Sequence, residues 1–172
     1  MSPFTPLRAA LFATLISTPA MADRAPPPAT YELDNHRLVL PHPIEFEAGT
    51  TTLTGASRHG LRHIRTYLES KTFITLLRIE GHVAPGPDAQ ALSEKRAMAI
   101  ARALVDNGVD CKRLIPVGFG DTKPVAANDT PEGRSKNTRI EAVNAALKDR
   151  LIGGMPADGG GRVAGDPCTK AP

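Results

Sequence analysis

Between Phe73 and Leu104 the apolar positions change period. Phe73, Leu77 and Ile79 alternate with polar neighbours and stop at Gly81-His82, the pattern of a buried strand. After a short loop, Leu92, Ile100, Ala103 and Leu104 fall within one arc about 120° wide at about 100° per residue, the pattern of an amphipathic helix. That helix should stop at Asn107-Gly108. The same reading predicts a strand over Leu38–Phe46, interrupted by Pro41 and Pro43 and so suited to an edge or a bulge. A helix capped by Thr54 should follow, with Leu61, Ile64 and Leu68 on one face. Beyond the long helix, a short strand is expected near Leu114-Ile115, cut off by Pro116, then a loop from Gly118 to Asn128. Thr130-Pro131 opens a helix of one or two turns, and Asn137–Ala145 alternates as a last strand. Helices between strands require crossovers, so the fold class is α/β, with helices packed on a small mixed sheet.

One polar residue breaks the pattern. Arg96 falls in the middle of the apolar arc of the long helix. A guanidinium facing a core needs a partner, because burying an unpaired charge costs several kcal/mol. Two partners fit: an internal carboxylate, Glu80 or Glu141, or the carboxylate of a ligand. Spacing alone leaves both open, the internal pair being the plainer.

The ends of the chain extend the picture. Arg8, the apolar run Ala9–Ile16, Pro19 and Ala20-Met21-Ala22 have the layout of a secretory signal peptide over residues 1–22. The run is too short to span a bilayer, and no Cys near the cleavage site suggests lipid attachment. Residues 23–37 begin with a proline-rich arm, expected to be extended. From residue 146 to 172 the chain is rich in Gly, Pro and Asp, with little regular structure expected. Its two cysteines, Cys111 and Cys168, in an exported protein point to a disulfide and lack metal-ligand spacing. A formal charge of +3 with 4% aromatics gives neither the basic stripe nor the stacking platform of a nucleic-acid binder. His59 and His63 are four residues apart but lack a third ligand, so they read as part of a solvated basic face with Arg58, Arg62 and Arg65. No nucleophile–base set suggests a hydrolase.

The ordered segments Ile44-Glu45-Phe46, Ile79-Glu80-Gly81-His82, Leu92-Ser93-x-x-Arg96-Ala97, Gly118-Phe119-Gly120 and Asn137-Thr138-Arg139-Ile140-Glu141 resemble the C-terminal peptidoglycan-binding domain of the OmpA/MotB family, over about residues 38–145. The resemblance implies a βαβαβ(α)β domain, with helices on one side of a four-stranded mixed sheet. It implies non-covalent binding of the diaminopimelate carboxylate in the cell-wall stem peptide, without enzymatic turnover or a cofactor. It implies an envelope location, periplasmic or outer-membrane associated, with other envelope proteins as further partners. Arg96 matches the family's ligand-binding arginine. Arg139, His82 and Asn137 match further family positions and are expected at the ligand. Two departures qualify this. The family's Gly-His-Thr-Asp reads Gly81-His82-Val83-Ala84 here, so the usual acidic partner is missing, and Asp88 is the substitute in the same loop. The loop into the helix is also shorter. The alternative expectation is a structural or interaction module that has lost the ligand, with Arg96 paired internally.

Overall fold

The computed structural model describes residues 30–169; the expected signal peptide and residues 23–29 of the arm lie outside them. Seven strands, β1 (Leu33–Asp34), β2 (Arg37–Leu38), β3 (Ile74–His82), β4 (Leu114–Gly120), β5 (Arg139–Leu147), β6 (Arg150–Leu151) and β7 (Arg162–Val163), combine with three α-helices, α1 (Ser57–Ser70), α2 (Ala89–Asp106) and α3 (Pro131–Asn137). The strands form one mixed sheet in the order β1-β2-β5-β3-β4-β7, with β6 joined to β5. Parallel pairing is confined to β3 and β4, the two strands linked through α2. Three long strands carry the sheet, and the short ones finish its edges.

Leu77 and Ile79 of β3 and Ala142 of β5 meet Leu61, Ile64, Tyr67 and Leu68 of α1 and Ala97, Ile100 and Leu104 of α2 in one buried core. The approach of α2 to the sheet depends on two glycines. A Cβ at Gly81 would run into the backbone of Ser93, and one at Gly118 would meet the side chains of Glu94 and Ser93. Ser93 itself ties helix to sheet, donating to the Gln90 carbonyl (2.7 Å) and accepting from the Gly120 amide (2.9 Å).

Several elements differ from the sequence reading. The strand expected over Leu38–Phe46 is reduced to β2 and a single bridge between Phe46 and Leu53, because Pro41 and Pro43 lack the amides a ladder needs. Thr54 does not cap α1. The helix starts at Ser57 with no side-chain cap, and Thr54 Oγ1 lies 3.2 Å from Ser57 Oγ. The strand expected to end at Pro116 continues to Gly120: Pro116 sits opposite Ile79, and its carbonyl accepts from Ala164. Thr130 does cap α3, accepting from Gly133. The arm expected over 23–37 ends in a hairpin, β1–β2, turning through Asn35 and His36 at positive φ and pairing with β5.

The tail from 146 onward is more structured than expected. It adds β6, then crosses the sheet face away from the helices and pairs as β7 with β4. Arg78 donates to Ala157 O (3.0 Å), and Gly159 and Gly161 sit so close to Arg78, Val117 and Phe119 that neither has room for a side chain. A disulfide between Cys111 and Cys168, with Cα atoms 5.1 Å apart, fastens the strap.

Candidate functional site

The α2 periodicity places Arg96 where expected, 6% exposed and facing inward. Neither proposed internal partner reaches it. Glu80 accepts from Arg78 Nε at 2.6 Å, and Glu141 accepts from Arg139 Nε (2.7 Å) and from Arg37 (2.8 Å). Glu80 and Glu141 sit opposite each other on the sheet face turned away from the helices. The internal ion pair is therefore excluded for Glu80 and Glu141, and no other carboxylate lies within 4.0 Å of Arg96 among the described residues. Its Nε donates to the Thr50 carbonyl at 2.9 Å, and its guanidinium carbon lies 4.8 Å from the centroid of the Phe46 ring. The two terminal nitrogens make no hydrogen bond among the described residues. Burial pushes its pKa down from the usual arginine value, but an arginine stays charged in a folded protein.

Arg96 borders a cleft of about 550 Å³. One wall is Pro43, Ile44, Glu45, Phe46, Ala48 and Gly49; the other is Ser135, Lys136, Thr138, Arg139 and Ile140. Sequence reading missed the first wall. The segment Ile44-Glu45-Phe46 leads into the Phe46–Leu53 bridge, which closes a turn through Ala48-Gly49, and it is held by Ser57 Oγ, which donates to the Glu45 carbonyl (2.7 Å) and accepts from the Glu45 amide (2.9 Å). The signal available was Gly49, at φ 72° in that turn.

The other expected ligand residues separate. Arg139 borders the cleft, but its guanidinium is taken by Glu141 and the Lys123 carbonyl. Asn137 is 3% exposed and does not line the cleft. Its oxygen accepts from the Val125 and Ala126 amides, and its amide group donates to Ala126 O and Asn128, clamping the loop before α3. His82 is 2% exposed on the strap side, stacked on Phe119 with centroids 5.3 Å apart. Neither of these two residues lines the cleft. Asp88 is exposed at the start of α2, caps nothing and does not line the cleft. Ala84 is buried behind the cleft, its amide donating to Thr138 Oγ1 at 3.1 Å. Among the basic-face histidines, His63 packs on Tyr31 and His59 on His42, so the two rings diverge.

Among the described residues, Glu80, His82 and Glu141 bring three possible metal-ligand atoms within 4.8 Å of one another. His82 Nε2 lies 3.3 Å from Glu80 Oε2, but out of line for a hydrogen bond. Burial pushes both carboxyls up, while His82 and Arg78 around Glu80, and Arg139 and Arg37 around Glu141, outweigh it and hold both below the usual carboxylate value. Arg78 and Arg139 already match these charges, so a dication would enter with no negative charge left to balance it. The cluster reads as a structural ion network. No helix among the described residues is long and apolar enough to cross a membrane.

Comparison with known proteins fits this geometry. A family model described as the OmpA family matches residues 45–138. The chain is 31% identical over 116 residues to the probable lipoprotein YiaD of Escherichia coli, covering 66% of this chain and 53% of that protein. It is 48% identical over 52 residues to the peptidoglycan-binding protein ArfA of Mycobacterium tuberculosis, covering 30% of this chain and 16% of that protein. The chain thus spans about half the length of the first relative and far less of the second. The solved structure of the peptidoglycan-associated lipoprotein from Burkholderia pseudomallei has the same fold, with a TM-score of 0.53 at 26% identity, over 59% of this chain and 88% of that one.

Proposed function

The chain belongs to the OmpA family, and from that premise we propose that its cleft binds peptidoglycan non-covalently in the cell envelope, through the diaminopimelate carboxylate of the stem peptide, without turning it over. One observation carries the reading: Arg96 is buried, borders an open cleft, and among the described residues has two terminal nitrogens without a hydrogen bond and no acid paired with it. A planar guanidinium so placed suits a carboxylate held at two points. The family's wall-binding relatives support the ligand class. Ala84 in place of the family Asp removes one contact, but leaves the arginine subsite intact.

The test is a pull-down of the exported full chain with purified peptidoglycan sacculi, alongside thermal melting. Arg96→Ala should lose binding, since removing one partner of a buried charge pair costs roughly 2–5 kcal/mol, while the fold survives. Binding unchanged in Arg96→Ala would favour an interaction module instead. Release of soluble wall fragments by the purified protein would overturn the reading as a binder without turnover.

A further inference from the structure

The cleft is unequal in charge. Its ionisable residues are Glu45, Lys136, Arg96 and Arg139. Arg139 is consumed by Glu141. Lys136 is exposed and pairs with no acid among the described residues, while its backbone is fixed: it precedes Asn137, whose side chain clamps the adjoining loop. Two uncommitted cations therefore face the cleft, one buried and one at its mouth. Glu45 is the cleft's acid, and it is exposed, where water and salt weaken its hold on an ammonium. Neither Ala84 nor Asp88 brings an acid to the cleft.

Building on the proposed wall binding, we infer that the cleft selects a stem peptide by two carboxylates, one on Arg96 and a second on Lys136, and does not read the free side-chain amine of diaminopimelate. Stems whose amine is acylated, as in a cross-link, are then bound as well as free ones. Lys136 becomes the residue that sets this preference, and Arg96 the anchor common to all ligands.

Calorimetry of the full chain with four synthetic tetrapeptide stems tests this: unmodified, with the side-chain amine acylated, with the diaminopimelate side-chain carboxyl amidated, and with the isoglutamate carboxyl amidated. Acylation should change Kd by less than about twofold, the low end of what an exposed ion pair such as one to Glu45 contributes. Amidation at diaminopimelate should weaken binding by about thirtyfold or more, as loss of a buried charge partner does. Amidation at isoglutamate should cost about two- to fivefold, and nothing further in Lys136→Gln. A larger loss on acylation, or isoglutamate amidation costing Lys136→Gln as much as the native chain, overturns the inference. If no stem binds while sacculi still do, the two-carboxylate reading fails and wall binding stands. If neither binds, the reading of the cleft itself fails.

Discussion

Arg78 and Arg96 are buried alike, at 5% and 6% exposed, on opposite sides of the same sheet. Arg78 lies under the C-terminal strap, with Glu80 on its Nε and the Ala157 carbonyl on a terminal nitrogen. Arg96 lies under the helices, with one carbonyl, one aromatic face and an open cleft. Burial alone does not separate a scaffold arginine from a binding one; the presence or absence of an internal counter-charge does. On the strap side the charges close on one another. On the cleft side no acid among the described residues pairs with the arginine.

The comparison breaks most visibly at Arg78. Arg78→Ala should destabilise the fold by about 3–5 kcal/mol, because Glu80 is left charged and buried. A second substitution, Glu80→Gln, should recover part of that loss, measured by denaturant unfolding of the single and double variants. Releasing the strap comes next. Cys111→Ser with Cys168→Ser removes a link spanning 57 residues and should cost about 2–4 kcal/mol. Amide exchange in β4 and β7 should rise, while sacculus binding persists, since the strap and the cleft lie on different faces.

Acid sharpens the contrast. Glu80 and Glu141 are both held below their usual value of 4.5. Their stabilising contribution is therefore complete above that pH and is lost as pH falls through the depressed values. The melting temperature should fall steeply below pH 4.5, and Glu80→Gln should flatten that slope. A slope unchanged in Glu80→Gln would remove the network from the account. The smallest effect on stability is expected at Arg96. Arg96→Ala loses one hydrogen bond to Thr50 beside a wet cleft, about 1 kcal/mol, even as wall binding disappears.

Arg96 was legible in the sequence because helical period placed a charge among apolar positions. Its lack of a partner was also within reach. Leu77 and Ile79 face the helices, so period two sends Glu80 to the opposite face. His82 follows the same parity, which is why it stacks on Phe119 and not on a ligand. The first wall of the cleft was hidden, because a Pro-broken apolar run looks alike as a bulged strand and as an irregular segment pinned by Ser57. Asn137 was hidden for a different reason: a side chain that clamps a loop and one that holds a ligand carry the same letter, and hydrogen-bond partners 9–12 residues away decide between them. The strap's glycines signal turns in the sequence, whereas Gly159 and Gly161 let backbone lie close on Arg78, Val117 and Phe119.

The shortness of the outermost strands has a consequence for crowding. β1 at one edge and β7 at the other are each two residues long, and each carries an exposed charge, Asp34 and Arg162. Such edges give a neighbouring copy almost no run of backbone on which to add a strand. Side-by-side contact between copies at these edges is therefore disfavoured as a route to aggregation.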